Sequence, residues 1–106
     1  MLKSLSQAFL LGVLLLAAGC ETSPPVQEMS DARQAIAAAR EAGAARHAGD
    51  ELARAEALLD GAEEYLELGT SGAYWQAKRN AISAKEVAFE ALLTSRNAQE
   101  ANDGRE

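Results

Sequence analysis

The alternation of apolar and polar residues predicts helices throughout the second half of the chain. Between residues 50 and 68, apolar side chains recur every three or four positions, which is the period of one helix face. This seam consists of Leu52, Ala55, Leu59, Ala62 and Leu66. Residues 73–98 have the same period in a ladder made almost wholly of alanine: Tyr74, Ala77, Ala81, Ala84, Ala88 and Ala91. The spacing therefore predicts two amphipathic helices, at about 50–68 and 73–98.

The alanine ladder also predicts how these two helices pack. Alanine lets a second helix approach to the short end of the usual interaxial range, about 8 Å. The glycine-containing segment 69–72 separates the two helices and favours a reversal of the chain there. We therefore expect an antiparallel hairpin. Glu63, Glu64 and Glu67 lie on the same side of the turn as Lys78, Arg79 and Lys85. Ion pairs between the two helices would favour this register, and two solvated faces without such pairs are the alternative.

A first helix is predicted before the hairpin, at about residues 26–46, with Ser23 or Ser30 as its N-cap. Its apolar stripe is narrow and consists of Met29, Ala32, Ile36, Ala39 and Gly43. Segment 48–50 is expected to end this helix and to provide Asp50 as the N-cap of the next one. The sequence leaves open whether the first helix packs on the hairpin.

The expected fold is all-α. It is either an antiparallel hairpin or a three-helix bundle, and it is similar to a degenerate tetratricopeptide pair. Residues 26–100 form this domain and residues 101–106 a disordered tail.

The N-terminal residues have the pattern of a bacterial lipoprotein leader. Lys3 is the only charged residue before an apolar stretch at 8–18, which is too short for the ~20 residues that span a bilayer. Small residues at 17–19 then precede Cys20, the only cysteine. Bacterial lipoproteins are cleaved before such a cysteine, whose thiol carries diacylglycerol. The resemblance implies a signal peptide at 1–19, a lipidated Cys20, and a short proline-containing tether at 20–25 that attaches the protein to a membrane.

The charge of the chain argues against binding to nucleic acid. The formal net charge is −6, and loss of Lys3 with the leader would make it −7. Such a chain would be repelled by phosphate groups. Glycine-rich phosphate loops and basic stripes are also absent from the sequence after Cys20.

The sequence offers few side chains for catalysis. His47 is the only histidine, and the only thiol is expected to carry lipid, so neither a hydrolytic triad nor a His/Cys metal site is available. The carboxylates of Glu63, Glu64 and Glu67 have the spacing of an ordinary solvated helix face. We therefore expect no enzyme activity, no cofactor and no metal, and His47 is interpreted as a polar residue at a helix end.

A second apolar stripe on the third predicted helix is the candidate interaction site. Trp75, Ile82 and Phe89 recur at intervals of seven. An alanine-rich domain of about 70 residues buries little apolar area, so further association is favoured. Either this stripe or the Met29–Ile36 stripe is expected to contact another copy or another envelope protein.

Trp75 and Tyr74 are expected to cap the hairpin core beside its turn. An aromatic contact for a glycan or partner helix is the alternative.

Several segments resemble one protein family. They are residues 24–36 (PPVQEMSDARQAI), 42–44 (AGA), 51–56 (ELARAE) and 74–81 (YWQAKRNA). Together they resemble bacterial envelope proteins grouped as domain of unknown function 4398. Members of this family are helical and typically follow a lipoprotein or secretory leader. The family has no assigned chemistry, so the resemblance implies a cellular address and a fold class rather than an activity.

The expected function is that of a structural or interaction module in the bacterial cell envelope, anchored through Cys20. The alternative is a periplasmic binding module that carries a peptide, a glycan or a cation for a larger machine. Enterobacterial lipoproteins with aspartate directly after the lipidated cysteine are retained in the inner membrane, whereas this chain has Glu21. The periplasmic face of the outer membrane is therefore the expected location.

Overall fold

The described part of the chain is entirely helical apart from its turns and its first residues. The computed structural model describes residues 23–105. Its helices are α1 (Val26–Glu41), α2 (Ala44–His47), α3 (Gly49–Leu68) and α4 (Ser71–Asp103). The prediction of an all-α fold is confirmed. The predicted signal peptide and Cys20 lie outside the described residues. Within residues 23–105, each helix is too short or too polar to cross a membrane.

The three long helices form an up-down-up bundle. Arg33 and Arg40 of α1 pair with Glu63 and Glu56 of α3, so α1 and α3 run antiparallel. Helix α4 packs against both α1 and α3. The turn between α3 and α4 reverses the chain, so α4 runs parallel to α1. Of the two predicted arrangements, the structure therefore has the three-helix bundle, with α1 packed on the hairpin.

Alanine fills most of the space between the helices. Ten alanines are wholly buried, at positions 32, 39, 44, 55, 62, 77, 81, 84, 88 and 91. The larger buried side chains include Met29, Ile36, Leu52, Val87 and Leu92. The expectation that the Met29–Ile36 stripe contacts a partner is therefore wrong. These two side chains instead complete the core of the bundle, because α1 lays its apolar face on α3 and α4.

Within residues 23–105, the ion pairs join α1 to α3 or α4 and do not join α3 to α4. Glu63 accepts a hydrogen bond from Arg33 at 3.2 Å, and Glu56 accepts from Arg40 at 2.9 Å. Lys78 Nζ lies 3.7 Å from Glu28 Oε1. All three pairs are partly solvent-exposed, so each stabilises the fold by about 0–1 kcal/mol. These pairs help to fix the register of α1 against α3 and α4. They add little to the free energy of folding.

The first turn lies earlier than the sequence predicted. Helix α1 ends at Glu41, and Gly43 then has a φ of 88°, the left-handed conformation that favours glycine. The predicted continuous helix to residue 46 is therefore wrong, because Gly43 breaks it instead of joining its apolar stripe. Ala48 is the N-cap of α3, so Asp50 lies in the first turn and not at the cap. Gln99 Nε2 of α4 donates to the Ala42 carbonyl at 2.7 Å and ties this turn to α4.

We expect Gly43→Ala to destabilise the bundle by about 1–2 kcal/mol, because an L-residue is strained in the left-handed conformation. A Cβ there would also lie 3.3 Å from Gln99 Nε2. Gly72→Ala is the matched control, since it lies in the first turn of α4 with nothing within 4 Å of its Cβ position. Urea unfolding followed by circular dichroism compares the two variants. Equal midpoints for both would contradict the assigned turn.

The predicted start of α1 at residue 26 and end of α3 at residue 68 are confirmed, whereas both ends of α4 differ from the prediction. Gly69, at a φ of 70°, ends α3, and Thr70 Oγ1 accepts a hydrogen bond from the Ala73 amide at 3.1 Å. Helix α4 begins at Ser71 and continues to Asp103, so the predicted disordered tail is wrong for residues 101–103. Helix-forming residues continue until Gly104, which explains the extension. Pro25 precedes α1 as its N-cap residue, whereas Ser30 lies inside that helix.

Candidate functional site: an apolar stripe along the last helix

Helix α4 carries two different apolar surfaces. Its inner face is the alanine ladder, which begins at Ala73 and extends beyond Ala91 to Ser95. Ser95 is wholly buried, and its hydroxyl donates to the Ala91 carbonyl at 2.7 Å, so this polar group is satisfied within the helix. The predicted ladder included Tyr74, which is only half-buried, in place of Ala73.

The outer face of α4 carries four large apolar side chains that we call the α4 stripe. The exposed fractions of these side chains are 61% for Trp75, 37% for Ile82, 46% for Phe89 and 57% for Leu93. Because seven residues complete almost two helical turns, residues 75, 82 and 89 stack above one another. Leu93 joins them one turn after Phe89. The sequence reasoning missed Leu93, although its distance of four residues from Phe89 placed it on the same face.

Trp75 does not cap the core as expected. Its ring lies on the surface, with Lys78 Nζ 5.4 Å from the ring centroid. This distance permits a cation–π contact, which contributes about 0.5–1 kcal/mol at an exposed site. The aromatic ring has no position in the core because Ala73 and Ala77 occupy the inner face at this level. Trp75 is therefore available for contact with other molecules.

Charged residues flank the α4 stripe on two distinct sides. Arg79, Glu86 and Glu90 each stand three residues before a stripe residue and lie on one side of it. Lys78 and Lys85 each stand four residues before a stripe residue and lie on the opposite side. The stripe is thus bordered by a lysine side and a mainly acidic side. Such a surface can bind another helix through burial of apolar area and matched charges.

A second group of exposed apolar residues lies at one end of the bundle. Val26 opens α1 and is 67% exposed, whereas Leu68 ends α3 and is 66% exposed. Tyr65 lies one turn before Leu68, and Trp75 lies in the second turn of α4. A cleft of about 800 Å³ lies at this end of the bundle. It is lined by the non-helical residues 23–25, by Val26 and Trp75, and also by Tyr74 and Lys78. We call the group of Val26, Tyr65, Leu68 and Trp75 the anchor end.

His47 and the carboxylates form no shared site in the described residues. His47 is the last residue of α2 and packs beside Gly43. Across residues 23–105, His, Cys, Asp and Glu side chains do not gather in groups of three that could hold a metal ion.

Residues 27–105 match the family model described as Domain of unknown function (DUF4398). The chain belongs to this family. The match extends over nearly all of the helical bundle and includes the whole α4 stripe, so the resemblance predicted from the sequence is confirmed. No similar protein was found among curated sequences, and no similar fold among solved structures. The DUF4398 description assigns no activity. The function is therefore inferred from the surface of the bundle.

Proposed function

We propose that this DUF4398 protein is a lipid-anchored structural module at the periplasmic face of the outer membrane. Its bundle is held there through Cys20 and pairs with a second copy through Ile82, Phe89 and Leu93 of the α4 stripe. The observation that supports this proposal is the contrast between the two faces of α4. The inner face completes an alanine core, whereas the outer face leaves four large apolar side chains in one row. A row of this length at helical spacing is typical of a helix that packs against another helix.

A parallel pairing of two copies fits the charges beside the α4 stripe. In a parallel two-fold pair, each side of one helix faces the opposite side of the other helix. Glu86 of one copy would then lie near Lys85 of the second copy. An antiparallel pair that stacks Ile82 on Phe89 would instead place Glu86 beside its own counterpart. Between Ile82 and Phe89 the charges therefore favour the parallel arrangement, although nearer the start of α4 Arg79 would lie close to Lys78 of the second copy.

The position of the anchor supports the same arrangement. Helices α1 and α4 run parallel, so both begin at the anchor end. Two parallel copies would have their Cys20 residues at the same end and could share one membrane. An antiparallel pair would separate the two cysteines by roughly the length of α4. For 33 residues this length is about 50 Å.

The pairing is expected on the membrane rather than in dilute solution. The stripe side chains are already partly buried in the single copy. Covering each of them in a dimer therefore stabilises the dimer by less than the ~1.5–3 kcal/mol gained when a fully exposed apolar side chain is buried. Association in solution costs about 4–15 kcal/mol, because the two copies lose translational and rotational freedom. Two copies attached to one membrane retain much less of that freedom before they meet. Lipid attachment and helix pairing therefore act together in this proposal.

Disulfide trapping in cells tests the pairing. Phe89→Cys in the otherwise intact protein is expected to give a disulfide-linked dimer in non-reducing gels, because a parallel pair brings residue 89 next to its own counterpart. Thr94→Cys is the matched control, since Thr94 is exposed on α4 but lies outside the α4 stripe. The control is expected to remain a monomer.

Three outcomes would contradict the pairing. Equal dimer yields for Phe89→Cys and Thr94→Cys would indicate random collision on the membrane. If only a mixture of Ile82→Cys and Phe89→Cys chains were linked, the pair would be antiparallel. Failure of Phe89→Cys and Ile82→Cys to link to themselves or to each other would exclude a second copy at this surface.

A further inference from the structure

The anchor end has the composition of a surface that meets a lipid bilayer. Val26 and Leu68 expose about two thirds of their surface, and neither belongs to the α4 stripe. Tyr74 and Trp75 line the same cleft as Val26, and Lys78 Nζ lies 5.4 Å from the centroid of the tryptophan ring. Tyr65 lies one helical turn before Leu68 on α3. Tryptophan and tyrosine favour the headgroup level of membranes because each has an apolar ring and a polar group. Lysine can extend its charged group from the same level toward water.

The chain itself brings this end close to the lipid. Cys20 precedes the first described residue, Ser23, by only three positions. Three residues span at most about 11 Å between Cα atoms, even when fully extended. Residues 24 and 25 then line the cleft next to Tyr74 and Trp75. A bundle attached to acyl chains at Cys20 therefore has its anchor end within a short distance of the headgroups.

We infer that the anchor end lies on the bilayer surface, with Val26, Leu68 and Trp75 in contact with lipid, so that the helices stand upright on the membrane. This inference rests on the proposed lipid anchor. Glu64 and Glu67 are exposed near this end, so the contact depends on apolar and aromatic groups rather than on attraction to anionic lipid. The upright orientation places Ile82, Phe89 and Leu93 above the membrane, where a second upright copy can reach them.

Trp75 is the only tryptophan of the chain, so its fluorescence reports on the anchor end alone. The lipidated protein is reconstituted in phosphatidylcholine vesicles that contain lipid brominated near the headgroup end of its acyl chains. Bromine quenches tryptophan only at close range. We expect strong quenching of Trp75 by the brominated lipid and weak quenching by iodide in the water.

A matched variant moves the tryptophan away from the membrane. The double substitution Trp75→Phe with Phe89→Trp keeps an aromatic residue at both positions and shifts the reporter by 14 residues, about 21 Å along α4. We expect several-fold less quenching by brominated lipid in this variant. Equal quenching at both positions would mean that the bundle lies flat, and no quenching of Trp75 would mean that the anchor end does not meet lipid. Either result overturns the inference.

The same samples separate this inference from the proposed anchor. Flotation of the vesicles on a density gradient shows whether the protein is attached to lipid at all. A protein that does not float contradicts the anchor and, with it, this inference. A protein that floats while Trp75 stays unquenched contradicts only the contact of the anchor end with the bilayer.

Discussion

Ala81→Leu is expected to destabilise the bundle by about 1–3 kcal/mol, because the site has no room for a larger side chain. Ala81 is wholly buried in a cluster with Met29, Ala32 and Ala62, where α1, α3 and α4 meet. Leucine would have to push α1 or α3 away from α4 and would loosen neighbouring alanine contacts. For a domain of this size, each kcal/mol lowers the melting temperature by about 4–8 °C.

Ala57→Leu is the matched control for this prediction. Ala57 lies on α3 but is exposed, and leucine is a good helix former, so its effect on stability is expected to stay within about 0.5 kcal/mol. Thermal unfolding followed by circular dichroism compares the two variants with the parent. If Ala81→Leu melted at the temperature of the parent, α4 would not be packed closely against its neighbours.

Cys20→Ser is expected to remove the protein from the outer membrane. In the proposed function, the lipid on Cys20 holds the protein at the membrane, so loss of the thiol removes that attachment. The lipoprotein pathway also requires this thiol before it removes the leader. The variant should therefore accumulate as a longer precursor that retains residues 1–19 and takes up no labelled fatty acid.

Thr22→Ser provides the control for the cysteine substitution, because it makes a similarly small change two residues later. Membrane fractionation and metabolic labelling with palmitate compare the two variants with the parent. If Cys20→Ser were processed and distributed like the parent, the lipid anchor would be rejected. The α4 stripe would then require a partner that does not depend on a shared membrane.

The sequence predicted the helices better than their ends. Apolar spacing alone located the three long helices, because a period of three to four residues is a direct consequence of helix geometry. Gly43 was misjudged because it continued the spacing of Met29, Ile36 and Ala39, and spacing contains no information about φ. Its left-handed conformation is visible only in the structure.

The packing of α1 could not be predicted from the sequence. The apolar stripe that contains Met29 and Ile36 is compatible with burial inside the bundle and with an external partner, and only the fold decides between them. With that stripe buried, Glu28, Arg33 and Arg40 of α1 lie within reach of α3 and α4, and they take part in all three ion pairs of residues 23–105. The repeat of seven on α4 marks side chains that the structure leaves exposed, although Trp75 was expected to pack in the core; contact with a partner there stays a prediction.

Mass spectrometry of the protein extracted from outer membranes tests the central claim, that the bundle is attached through a lipidated cysteine. We expect a mature chain that begins at Cys20, with diacylglycerol on the thiol and a further acyl chain on the α-amino group. A membrane-derived chain with a free thiol at Cys20, or with another first residue, would contradict it.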